Sequence, residues 1–117
     1  MQEVVLKMKD IFPGLDSLGS RFSGFEVRQI MQDLLGVLPD DSLIENDIVV
    51  VLDFEGITLI TQGFGDELVG VFTRMFGVDF VKRHIRVVNA CEFIRGTLNW
   101  CISYSKKMRA ERLGANA

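Results

Sequence analysis

A chain of 117 residues, 48% hydrophobic and 25% charged, has the length and composition of one globular domain with a single core. Its formal net charge of −3 excludes the broad positive footprint that nucleic acid or an anionic membrane surface requires. The opening MQEVVLKMKD has no leader-like apolar core, and no window approaches the ~18 apolar residues of a membrane span, so cytoplasmic residence is the default expectation.

Val4, Leu6 and Met8 alternate with Val5, Lys7 and Lys9, which predicts a half-buried strand, and Pro13-Gly14 marks a turn after it. The stretch from Asp16 to Arg21 fits a short strand or a loop equally. Ser23 followed three positions on by Glu26 has the reciprocal capping pattern of a helix start. Behind it Val27, Ile30, Met31, Leu34 and Leu38 recur at helical spacing, Phe25 can staple the first turn, and Pro39 ends the helix. Asp40, Asp41, Glu45 and Asp47 then form an acidic loop. It lacks the glycine and ligand order of a calcium loop and reads as a solvated connection.

Ile48 to Asp53 is an almost unbroken β-branched run, the signature of a strand buried on both faces in the middle of a helix-covered parallel sheet. A second helix is predicted from Phe64 to Phe76, with Leu68, Val71, Phe72 and Met75 on one stripe and Gly77 as its stop. Ile85 to Ala90 is the next strand. Asn89 is the candidate cap of a last helix, with Glu92 at the third position and Phe93, Thr97, Cys101 and Met108 along one side. Lys106, Lys107, Arg109 and Arg112 complement the dipole of its last turns, and residues 106–117 read as a basic tail that frays from Leu113 to Ala117. Cys91 and Cys101 match no zinc or redox spacing and read as buried thiols. The order of elements predicts one α/β domain over 1–117: a mixed sheet of about four strands with helices packed on it, its later strands parallel through right-handed crossovers.

Chemistry concentrates where Asp53 ends its strand. A short loop carrying Thr58 and Thr61 leads through Gly63-Phe64-Gly65 into the acidic pair Asp66-Glu67, and such strand-to-helix junctions are where α/β domains keep their working surfaces. Asp53, Asp66 and Glu67, with Glu55 nearby, form a candidate cluster for a small-molecule or magnesium-dependent activity, the alternative function. The Gly-Phe-Gly turn lacks the third glycine of a dinucleotide loop, and acid at a helix start opposes a pyrophosphate. His84, the single histidine, has no carboxylate beside it to orient a catalytic base. Trp100 and Tyr104 lie one helical turn apart; they read as packing or, if exposed, as an aromatic patch for a partner.

The segment VVVLDFEGITLITQGFGDELVG resembles the core of STAS-like domains, relatives of the sulphate-transporter and anti-sigma-factor-antagonist domains. A strand ending in Asp, a Thr-bearing loop and a helix opening in Asp66-Glu67-Leu68 carry the likeness, and Arg21 with Gly24 resembles the family's entry to its first helix. The resemblance implies a STAS-like fold and a non-enzymatic regulatory interaction domain, in a bacterial-type signalling system, with no cofactor. Its partner would be a protein, possible types being a kinase-like ATPase or, as a homodimer, a second copy. The contact surface it implies is the loop and helix 58–70, through Thr58, Thr61, Gln62, Gly63, Phe64, Asp66 and Glu67. In antagonists of this family a serine at the helix start is phosphorylated. Gln62 occupies that position here and cannot accept a phosphoryl group, which leaves Thr61 as the nearest candidate phosphoacceptor. With Asp66 and Glu67 in the first turn, a phosphate on Thr61 would meet repulsion, suiting a switch that releases a partner.

Overall fold

A computed structural model describes residues 1–114. In chain order its elements are β1 (Gln2–Lys7), α1 (Met8–Ile11), β2 (Ser17–Leu18), α2 (Arg21–Leu35), β3 (Ile48–Asp53), β4 (Leu59–Ile60), α3 (Gln62–Gly65), a π turn (Asp66–Gly70), α4 (Val71–Phe76), α5 (Val78–His84), β5 (Ile85–Val88) and α6 (Glu92–Gly114). The expected small α/β fold is present, and its strands divide differently. β3 lies between β1 and β5 in a three-stranded sheet, β2 pairs with β4 in a second sheet of two strands, and both are wholly parallel rather than mixed. Antiparallel pairing among the described residues reduces to the isolated bridge Val37–Leu43.

The β3 run is buried on both faces, by different means. Val50 and Leu52 join Leu6, Ile85 and Val87 in the main core, with Met31, Leu68, Phe72 and Leu98 of the helices. On the other face Val51 sits between Val5 and Arg86 of the flanking strands, outside that core. There a Glu3–Arg86 ion pair of 2.8 Å links β1 to β5 across the central strand. Both partners are about half exposed, so its contribution is of order 0.5 kcal/mol.

Several element boundaries move, each for a local reason. The first strand stops at Lys7, and fully buried Met8 opens α1 instead of continuing the alternation. α2 begins at Arg21, because Ser20 rather than Ser23 is its cap: Ser20 Oγ accepts from Ser23 N at 2.9 Å. It stops at Leu35, before Pro39, on Gly36 at φ 79°, where a Cβ would collide with Ile44 O. Leu38 therefore lies beyond the helix, and Ile30 faces solvent; the inward stripe is Val27, Met31 and Leu35. Gly24 lets α2 cross the 62–76 stretch closely, since a Cβ there would lie 2.9 Å from both Phe64 O and Glu67 Cβ. That stretch starts at Gln62 and contains the π turn, which no periodicity announced; Gly77 stops it as expected.

Asn89 is not the cap of the last helix. It takes a left-handed conformation, φ 56°, between β5 and α6. The inward side of α6 is Ile94, Leu98, Cys101 and Ser105, which leaves Phe93 and Met108 outside. Cys101 is buried but Cys91 is exposed, and both are free thiols. The basic segment is helical to Gly114 rather than frayed, and residues 115–117 of the expected tail lie outside the described residues. Its arginines serve another helix: Arg109 donates to the carbonyls of Arg74 and Met75 at 2.9 Å, and Arg112 to Arg74 O at 3.2 Å, at the C-terminal end of α4. No helix among the described residues is long and apolar enough to cross a membrane.

Candidate functional site

The hydroxyls singled out in the sequence tie the two-stranded sheet together. Thr58 N and Thr58 Oγ1 both donate to Asp16 O, at 2.8 and 3.2 Å. Thr61 Oγ1 donates to Gly19 O at 2.8 Å and accepts from Phe64 N at 3.2 Å, which makes Thr61 the cap of the 62–76 stretch. Thr58, Thr61 and Gln62 stay exposed, and Gly63 is half buried. Phe64 and Glu67 are not on the surface: Phe64 is fully buried edge-on against Phe12, and Glu67 is buried beside α2. Replacing Thr61 by valine keeps the shape and removes the cap, so a loss of about 1 kcal/mol in chemical denaturation is expected.

The two acidic residues lie one turn deeper than expected, in the π turn, and neither is free. Asp66 accepts from Arg74 at 2.7 and 3.0 Å and from Arg21 at 2.8 Å. Arg74 also donates to Ser105 Oγ of α6 at 2.7 Å. Glu67 accepts from Arg28 Nε at 2.7 Å and is ion-paired with Arg21 at 3.6 Å, and Arg28 also bonds Gln32. Three arginines from α2 and α4 thus neutralise the pair, and the open acidic first turn inferred from sequence does not exist. Burial raises the Asp66 carboxyl, but hydrogen bonds from Arg74 and Arg21 outweigh it and hold it below the usual carboxylate range. These arginines were invisible as partners because they lie 45, 39 and 8 residues away in sequence.

Asp53 is held elsewhere. Its Oδ1 accepts from Asn89 Nδ2 at 3.0 Å and from Glu55 N at 2.9 Å, and these bonds lower its pKa. Left-handed Asn89, misread as a helix cap, is the residue that orients it. Asp53 and the Asp66–Glu67 pair therefore do not converge, and no group of three or more metal-ligating side chains occurs among the described residues. His84 Nδ1 donates to Ile48 O at 2.8 Å while its ring packs on Phe80, a structural role. Burial pushes the Cys101 thiol up to about 11, which leaves it unreactive.

The structure joins two features that the sequence kept apart. Trp100 and Tyr104 are half exposed and stacked face to face, centroids 5.0 Å apart and planes 5° from parallel. With Met108 they form one wall of an open cleft of about 450 Å³, whose other walls are Gln62, Arg21, Asp66 and Arg74. The loop after β4 and the aromatic pair of α6 are thus one continuous surface. A second cleft, of about 480 Å³, lies between α5 and the end of α6, lined by Lys82, Lys106 and Arg109, and shares no residue with the first.

A parallel α/β core with the 62–76 helical stretch entered from a capped Thr61 loop defines the class of the domain. Residues 41–92, which contain β3, the loop and the π turn, match the family described as STAS-like domain of unknown function (DUF4325). The STAS-like recognition rests on that segment. No curated protein and no solved structure matches significantly.

Proposed function

We propose that this chain is a non-enzymatic regulatory interaction domain that binds a protein partner, of the kinase-like ATPase type, through the exposed residues of the 58–70 segment, Thr58, Thr61 and Gln62. One observation carries the reading. Exposed Gln62, next in sequence to exposed Thr61, shares a cleft with the exposed Trp100–Tyr104 stack, while the ionisable groups around it, Asp66, Glu67, Arg21, Arg28 and Arg74, are paired with one another. A surface with aromatic anchors and a neutralised charge network suits recognition better than proton transfer. The match to a STAS-like domain is consistent with a regulatory role.

The network also revises how Thr61 would act as a phosphoacceptor. A phosphoryl group on Thr61 Oγ1 would lose its bond to Gly19 O and compete for Arg21, whose side chain lies beside Gly63 and bonds Asp66. Competition for Arg21 replaces simple repulsion. The test is capture of partners from the native lysate with wild type, Thr61→Glu and Gln62→Arg baits, read by mass spectrometry. An ATPase-type partner held by wild type and lost by both variants is expected. Identical partner sets for all three baits would remove the loop from the mechanism.

A further inference from the structure

We infer that two copies of this chain join edge to edge, β1 of one pairing antiparallel with β1 of the other about a two-fold axis at Val5. The three-stranded sheet ends at β1, which bonds β3 on one side and no strand on the other. Gln2 N donates inward, to Asp47 O, and backbone groups alternate sides along a strand, so those of Val4 and Leu6 also face β3. The backbone groups of Glu3 and Val5 and the Lys7 amide therefore point away from the sheet. No backbone partner meets them among the described residues. The Lys7 carbonyl is accounted for, because Lys7 is the N-cap of α1. Proteins blunt such an edge with a proline, a bulge or a very short strand. β1 has six residues, pairs with β3 residue for residue and contains no proline.

Charge selects the occupant. Charged side chains also guard edges, but Glu3 and Lys7 are opposite in sign and stand two residues to either side of Val5. An antiparallel copy centred on Val5 sets each Glu3 opposite Lys7 of the other copy, Val5 opposite Val5, and Val4 opposite Leu6. A parallel copy in register would bring like charges together. A shift of two residues breaks both charge pairs, and a shift of one sets outward backbone groups against inward ones. Both ions are available: Arg86 occupies Glu3 Oε2 alone, and Lys7 makes no ion pair among the described residues.

The hydrogen-bonding phase agrees with the same register. Val5 points outward, so the two valines exchange both of their N–H to carbonyl bonds, and Lys7 N donates to Glu3 O at each end. Val5 is 50% exposed in the single chain and already flanks buried Val51 on the face away from the main core. Pairing places a second Val5 beside it and makes one six-stranded sheet of two three-stranded ones, an isologous contact that closes at two copies. An edge of six residues buries less than the ~800 Å² per partner of a standard interface, so a dissociation constant on the order of 10–100 µM is expected.

Sedimentation velocity on the purified chain, from about 5 µM to about 1 mM, tests the pairing. A monomer–dimer equilibrium with nothing larger is expected. Lys7→Glu and Glu3→Lys should each weaken it at least ~10-fold, because each turns both Glu3–Lys7 contacts into like-charge ones. An equimolar mixture of the two variants should regain wild-type association, since one brings two acids to the edge and the other two bases. A misfolded variant could not produce that recovery. A chain that stays monomeric over the whole range would overturn the proposal, as would a dimer indifferent to Lys7→Glu or a mixture that fails to recover. Species that grow beyond the dimer would assign the β1 edge to the β5 edge of the next copy instead, and would overturn it too.

Discussion

Replacing Gly70 by alanine is expected to lower the unfolding free energy by about 3 kcal/mol, roughly 2 kcal/mol from disrupting the partly buried Asp66–Arg74 pair and the rest from overpacking. Gly70 closes the π turn, and a Cβ there would fall within contact radius of Asp66 Oδ1 and 2.9 Å from Ser105 Oγ. Both oxygens are partners of Arg74, so one methyl group would disrupt the Asp66–Arg74–Ser105 network that fastens the π turn to α4 and α6. Backbone conformation is not the cause, because Gly70 is in the ordinary right-handed helical region at φ −66° and ψ −46°. In thermal melts the loss corresponds to a fall of roughly 10–20 °C. Gly96→Ala supplies the control of opposite sign. That site is open, so the same substitution should stabilise α6 by about 0.5–1 kcal/mol. If both variants melted alike, steric exclusion at Gly70 would not be what the π turn depends on.

The contrast between these glycines shows where sequence reading reaches its limit. Local patterns identified β3 to the residue, because an unbroken β-branched run has few alternatives. They also located the Gly77 stop, but read the stretch from Thr58 to Thr61 as a loop, where Leu59–Ile60 forms β4 against β2. They misplaced the start of α2, where Ser20 and Ser23 both fit a cap and only the bond between them decides. They misread Asn89, since a left-handed Asn and an N-cap Asn share one sequence signal. The π turn adds one residue to a helical turn without changing composition, so period-based reading passes over it. Above all, the sequence showed Asp66 and Glu67 as acid and hid the arginines that neutralise them. Side-chain pairing across 39 or 45 residues is a property of the fold, not of any window. For Trp100 and Tyr104 the stripe read from sequence, through Phe93, Thr97, Cys101 and Met108, is rotated from the one the fold buries, Ile94, Leu98, Cys101 and Ser105, which leaves both aromatics outside.

Asp66→Asn should cost about 2 kcal/mol at neutral pH, less than a fully buried pair because Arg74 and Arg21 keep some solvent contact. The pH dependence of that loss carries the diagnostic information. The folded-state pKa of Asp66 lies below its unfolded value of about 3.9, so the contribution of its charge is complete above that value. It disappears as pH falls through the lower, folded-state value. The stability gap between wild type and Asp66→Asn, measured by urea titration at successive pH values, should be constant from neutrality down to about pH 5 and close below about pH 4. Asp53 and Asp40 also titrate low in the folded chain, but they are present in both proteins and cancel from the difference. A gap that persisted unchanged into strong acid would show that the carboxylate matters through its shape and hydrogen bonds rather than its charge. The arginine network would then be a packing device, and a phosphoryl group at Thr61 would gain nothing by competing for Arg21.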